Sequence, residues 1–203
     1  MSKKKETVLE KYQKIGIALL VIVFAGFFGW VYEMVFYYFD GGTGDFYMQG
    51  GNFLPWINIY AIGAVLILMT TWKLKKWPIL VFITSVVVTG LLEFVSGWLV
   101  YKIFGARYWD YNIEIWNFGN IEGFVCLRSV MFFGVSALFL VYAVVPACKM
   151  LAIKMSKRAF LTLAITLFSL VMVDEIYNLL ASKVFDWYDA TEFWQNMGWK
   201  YLT

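Results

Sequence analysis

Apolar residues run along this chain in stretches of twenty or more, separated by short polar clusters, and this pattern predicts helices that cross a membrane. A span needs about 20 mostly apolar residues. Five stretches qualify, at residues 15–39, 53–72, 78–104, 123–145 and 159–182. Pro78 opens the third and Pro146 closes the fourth, as expected of a residue that punctuates helices. The expected fold is therefore all-α, a polytopic transmembrane helix bundle of about five spans over residues 15–182. Residues 1–14 read as a basic segment before it, and residues 183–203 as a Trp/Tyr-rich tail too polar and broken to be a sixth span.

The basic residues set an orientation. Lys3, Lys4, Lys5, Lys11 and Lys14 precede the first span. Lys73, Lys75 and Lys76 follow the second, and Lys149, Lys154, Lys157 and Arg158 lie between the fourth and fifth. The other side holds only Lys102, Arg107, Lys183 and Lys200. Basic residues mark the cytoplasmic side, so the N-terminus is expected inside and the C-terminus outside. The outer connections are aromatic, with Trp109-Asp110-Tyr111 and Asp186-Trp187-Tyr188-Asp189, and Trp and Tyr favour the membrane interface. The first of them, from Asp40 to Gly51, carries five glycines and reads as a flexible turn.

Composition fixes the solvent. Hydrophobic residues make up 62% of the chain, aromatics 21% and charged residues 15%. A soluble domain carries about 25% charged residues, so this chain cannot cover a water-facing surface and is expected in the cell membrane. The first apolar run exceeds a signal-peptide core, and no small-residue cleavage pattern follows it. The net charge of +3 sits between spans, which gives no reason to expect nucleic acid. The chain has no histidine, so His-based acid–base chemistry and His metal sites are excluded. Nothing in the pattern calls for a cofactor. Cys126 and Cys148 fall near opposite ends of one span, ~33 Å apart at the helical rise, well beyond disulfide reach.

Three carboxylates interrupt the apolar stretches: Glu33, Glu93 and Asp174. A charge at the bilayer centre costs roughly 2.5–3.5 kcal/mol, so such groups mark bundle interiors or watery cavities. Counted from the basic ends, the three lie ~28, ~22 and ~24 Å up their helices, all in the outer half. The even-numbered spans bring Asn58 and Arg128 to the same level. Arg128 can pair with one or two carboxylates, which leaves the others for a proton, water or a ligand. Helical spacing puts Thr89, Ser96 and Gly97 beside Glu93, Tyr177 and Asn178 beside Asp174, and Trp30 and Tyr37 beside Glu33. Glu175 falls on another face. A short echo links Glu93 and Asp174: each is followed nine residues later by a lysine, an aliphatic residue and phenylalanine.

Several motifs in order resemble one family, the ABC-transporter type IV permeases or CmpB-like integral membrane proteins. They are Gly29-Trp30-x-x-Glu33, Pro55 with Ile59-Tyr60-x-x-Gly63-Ala64, and Thr89-x-x-x-Glu93 with Ser96. Phe104-x-x-Arg107-x-Trp109-Asp110-Tyr111 and Asn120-x-x-Gly123-x-x-Cys126-Leu127 follow, and Pro146 closes the series. The chain departs from the family pattern at Asn58, Ala61 and Asn112, where the family usually has Pro, Gly and Ser. The resemblance implies a permease and groups Glu33, Tyr60, Glu93, Trp109, Asp110 and Asn120.

The leading expectation is a permease or substrate-recognition subunit that binds a small polar or cationic solute through Glu33, Asn58, Tyr60, Glu93, Asp110, Arg128 and Asp174. The chain lacks a GxxxxGK[ST] phosphate loop, so ATP hydrolysis would fall to a separate ATPase subunit on the basic cytoplasmic loops. Its small size points to a homo-oligomer, surrounded by membrane lipids. A non-catalytic membrane partner or sensor, with a purely structural polar network, is the alternative. A membrane enzyme acting on lipid-linked substrates would have to hold a metal or phosphate with Asp110, Glu93 and Arg128, without histidine or a paired Asp motif.

Overall fold

The computed structural model describes residues 9–40 and 45–201. Lys3, Lys4 and Lys5 of the basic segment and three of the loop glycines (Gly41, Gly42 and Gly44) lie outside the described residues. Helix α1 covers Lys11–Asp40, α2 Asn58–Thr71 with a 3-10 turn at Trp72–Leu74, and α3 Pro78–Phe104. Helix α4 covers Leu127–Phe139, α5 Val145–Lys154, α6 Lys157–Leu180 and α7 Ala190–Asn196. Among the described residues no strand forms beyond isolated bridges, Tyr47 with Lys200 and Ile121 with Val125.

Among the described residues, four helices are long and apolar enough to cross a membrane: Lys11–Asp40, Pro78–Phe104, Leu127–Lys154 and Lys157–Phe185. The chain is thus an all-helical, multi-pass membrane protein. The second apolar helix, Asn58–Leu74, is shorter. Residues 53–57, expected inside that span, are not helical. Pro55 disfavours helix at the residue before it, and the amides of Phe53 and Leu54 are taken by Asp174 at 3.1 and 2.7 Å.

Pro146 does not close the fourth span as expected. Its helix runs on to Lys154 through a π turn at Leu140–Val144, in which the Val145 amide reaches the Leu140 carbonyl. A helical proline lacks its own N–H and collides with the carbonyl four residues back; widening the turn just before it removes that conflict. At the other end, this helix starts at Leu127, and Gly123–Cys126 belong to the preceding loop.

The bundle is built around α1, which packs against α2, α5 and α6, while α3 packs against α2 and α4. Near the lysine-bearing end the core is apolar: Val21, Ile67, Val81, Ala137, Phe160 and Ala164 are buried together. Gly16 is needed there, since a Cβ would stand 2.4 Å from the Phe160 ring. Helix α3 is inside out. Its buried stripe is Val81, Ser85, Thr89, Glu93 and Gly97, while Ile79, Ile83, Val87 and Leu91 face outward. Ser85 and Thr89 donate to the carbonyls of Val81 and Ser85 at 2.7 and 2.8 Å, so these hydroxyls cost little to bury.

Candidate functional site

At the end of the bundle away from the lysines, three buried or half-buried carboxylates each accept a phenolic hydroxyl. Tyr60 Oη donates to Glu33 Oε1 at 2.9 Å, linking α2 to α1. Tyr111 Oη donates to Glu93 Oε1 at 2.6 Å, linking the α3–α4 loop to α3. Tyr37 Oη donates to Glu114 Oε1 at 2.8 Å, linking α1 to the same loop. Glu93 also accepts from Ser129 Oγ at 2.8 Å, across to α4. The charges of Glu33, Glu93 and Glu114 act on one another and on Arg128, which defines one polar layer.

Arg128 pairs with Glu114, not with Glu33 or Glu93. Its guanidinium also lies 3.8 Å from the Phe36 ring centroid and 5.4 Å from that of Tyr111. Burial pushes the Glu114 carboxyl above the usual carboxylate range, while the Tyr37 hydroxyl and Arg128 pull it back. Tyr111 is held well above the usual phenol range, chiefly by burial and then by the charge of Glu93. It therefore stays a neutral donor to that carboxylate at physiological pH.

The loop from Gly105 to Cys126 supplies two of these groups and is tightly cross-braced. Trp109 Nε1 donates to the Phe124 carbonyl at 3.0 Å, and the Tyr111 amide to that of Gly123 at 3.0 Å. Asn120 accepts from the Gly123 amide at 2.8 Å and donates to Asn112 at 2.8 Å. Gly123 has φ 76°, and a Cβ there would stand 2.3 Å from Asp110 Oδ1. Asp110 braces this turn by accepting from Asn112 at 2.6 Å and facing Arg107 at 3.6 Å. The hydrogen bonds and ion pair of Asp110 stay within this loop, with Asn112 and Arg107, while Glu93 accepts from Tyr111 and Ser129. Among the described residues no group of three or more His, Cys, Asp or Glu could hold a metal.

Asp174 and Asn58, expected in the same layer, belong to a second cluster. Asp174 accepts the Phe53 and Leu54 amides and the Asn178 side chain, the last at 2.7 Å. Asn58 donates to Glu175 at 2.6 Å, and Asn52 to the other Glu175 oxygen at 2.8 Å. Glu175 is thus a working partner and not merely a residue on another face. The tail docks here, with the Ala190 amide on Asn178 at 2.7 Å and Trp194 Nε1 on the Asn52 carbonyl at 3.1 Å. This second cluster anchors α6, the α1–α2 connection and α7 to one another.

The motif residues thus fall into a single geometric scheme. The sequence profile of the family described as Putative ABC-transporter type IV matches residues 20–179. The chain belongs to that family. No curated protein and no solved structure matches it. In this type IV family member the glycine of Gly29-Trp30-x-x-Glu33 admits Tyr60 against α1. Gly97, one turn beyond Glu93, admits Trp109 and Phe124, each 2.9 Å from a Cβ placed there. Trp109-Asp110-Tyr111 then divides its labour: an anchor, a brace and the donor to Glu93. Glu114, Tyr37, Tyr111 and Ser129 were not among the expected site residues. Tyr111 stands in the sequence only as part of the Trp109-Asp110-Tyr111 motif and its aromatic connection, outside the group of residues that the resemblance implies.

Proposed function

We propose that this chain is the membrane-embedded permease or substrate-recognition subunit of an ABC-type transport system, and that its polar layer receives a small polar or cationic solute. The observation that carries this reading is the charge imbalance: Glu33, Glu93 and Glu114 meet one arginine, and that arginine is committed to Glu114. Arg128 Nε is buried with no hydrogen-bond partner among the described residues, which leaves a donor for a solute acceptor. Glu33, Tyr60, Glu93 and Arg128 are the residues assigned to the solute. Asn58, Asp110 and Asp174 brace the surrounding structure.

The reading takes α2 as a fifth span, with the N-terminus in the cytoplasm and the C-terminus outside the cell membrane. Residues 1–14 then form the basic inner segment, 15–182 the bundle and 183–203 the outer tail. The lysine-rich connections would receive a separate ATPase subunit, and a homo-oligomer would complete the small permease. The family assignment and the alternation of basic residues support this arrangement.

A structural network is the second reading. It is favoured by the fact that each of the three glutamates already accepts from a tyrosine. Native mass spectrometry of the gently purified protein and its Glu93→Gln form separates the two. A small mass carried by the native chain and lost from the variant supports solute binding. An empty native chain whose variant loses its oligomer or unfolds supports the structural network.

A further inference from the structure

The lysine-bearing end of the bundle gathers two ammonium groups at one ring. Lys75, in the turn after α2, and Lys149, on α5, each hold Nζ 4.8 Å from the centroid of the Trp72 ring. The turn is tied to the long fourth helix, because Tyr142 Oη donates to the Lys75 carbonyl at 2.8 Å. The face of a tryptophan attracts an ammonium group, and here it draws together two like charges that are distant in sequence. No acid offsets them from the flanking chain: residues 46–92 and 123–173 contain neither Asp nor Glu. Lys149 and Glu10, the described acid at the start of α1, form no ion pair among the described residues.

The surroundings of this pair match one end of a phospholipid. Lys149 comes five residues before Lys154, the last residue of α5, so it lies ~8 Å further into the bundle along the helix. Trp72 and Trp77, 41% and 56% exposed, mark the headgroup level beside it. Helical spacing puts Pro146 and Tyr142 on the same face as Lys149, further toward the bilayer centre, and both are exposed. Two positive charges thus stand at the foot of an exposed apolar wall. We propose that Lys75, Lys149 and Trp72 bind the phosphodiester headgroup of an anionic phospholipid, whose acyl chains lie along Pro146 and Tyr142. The pair is half-buried, whereas Lys73, Lys76, Lys154 and Lys157 are exposed and remain for the ATPase subunit. This site goes beyond the permease reading and holds whether or not the polar layer takes a solute.

The test is native mass spectrometry of the full chain in neutral detergent, titrated with dioleoyl phosphatidylglycerol or dioleoyl phosphatidylcholine. One bound phosphatidylglycerol is expected, held about thirtyfold more tightly than phosphatidylcholine, the effect of two basic residues at a membrane surface. Lys75→Gln with Lys149→Gln keeps the backbone carbonyl that Tyr142 holds, and is expected to abolish that preference. Lys154→Gln with Arg158→Gln removes the same charge from the same end of the bundle and is expected to keep it. Glycerol 3-phosphate, which has no chains to seat, is expected not to compete. Equal binding of the two lipids to the folded native chain overturns the proposal without any variant. An unchanged preference in the Lys75 and Lys149 variant overturns it too and leaves the pair to the ATPase surface. So does an equal loss in both double variants, or displacement of the lipid by glycerol 3-phosphate. If a Glu93-dependent solute is found while the lipid preference is absent, the lipid site falls and the permease reading stands.

Discussion

Tyr60 lies directly across α1 at Gly29: a Cβ on Gly29 would stand 2.1 Å from Cγ of the Tyr60 ring. The same ring places its hydroxyl 2.9 Å from Glu33, one helical turn further along α1. Glycine at one position and glutamate four residues later are thus two halves of one device. The first removes the side chain that would hold α2 away, and the second accepts the hydroxyl that the close approach delivers. Close approach over small residues is how membrane helices pack in the absence of a hydrophobic drive.

Replacing Gly29 with alanine should therefore do more than add a methyl group. Either Tyr60 must swing off α1 or α2 must move, and both break the contact with Glu33. Overpacking of this kind costs about 1–3 kcal/mol. Gly51→Ala is the matched control, because nothing lies within 4 Å of a Cβ there. Thermal unfolding in detergent should show a clear drop for Gly29→Ala and little change for Gly51→Ala. Equal melting temperatures would remove the steric account of this motif.

Asp174 should prove a structural residue. It takes two backbone amides, Phe53 and Leu54, that begin a non-helical stretch with no ladder of its own. Asn at this position keeps the shape but sets an NH2 group where an acceptor is needed. Leaving a buried amide unsatisfied costs about 1–3 kcal/mol, and these two are part-buried, so the lower end applies. Asp174→Asn should lower stability by that order and speed hydrogen exchange at Phe53 and Leu54. Unchanged exchange at those two amides would show that the stretch is held by something else.

What the sequence exposed and what it hid follow from where a charge is expensive. Glu33 and Glu93 stand out because each interrupts an apolar run, and both do lie in the layer. Counting helical rise puts Arg128 and Asn58 at the same level; Arg128 is in the layer, Asn58 binds Glu175 instead, and Tyr60, grouped with Glu33 by the family resemblance, donates to it. Glu114 carries no such mark: a carboxylate in a loop looks solvated, and only folding of the loop onto α1 buries it, leaving it 8% exposed. Asp174 serves another cluster, because helical rise gives height and says nothing of azimuth. Asn178, one turn on, was correctly paired with it. Tyr37, expected near Glu33, goes instead to Glu114. The run of the fourth helix through Pro146 was hidden because a π turn has no simple residue signature, whereas a proline has a strong one.

Arg128 and Glu114 should behave as a coupled pair. Their side chains are 11% and 5% exposed, so removing one leaves the other charged and poorly solvated. Breaking a buried pair from one side costs about 3–5 kcal/mol. Arg128→Met alone should therefore be severely destabilised. Arg128→Met combined with Glu114→Gln should regain much of the loss, since the orphaned carboxylate is gone. A double variant no better than Arg128→Met would show that the arginine serves other partners, the Phe36 ring among them.

Glu114 also gives the protein a pH dependence with a definite sign. Burial raises its carboxyl above the ordinary 4.5, so the folded chain holds that proton more tightly than the unfolded one. A group shifted this way contributes most below its unfolded value, and the contribution is lost as pH rises through the folded value. The native melting temperature should thus carry a component that falls as pH climbs from 4.5 upward. Glutamine cannot titrate, so Glu114→Gln should lack that component, whatever its absolute stability. Melting curves of the two forms across this window check the point through their slopes. A variant with the same slope as the native chain would assign the pH response to other groups.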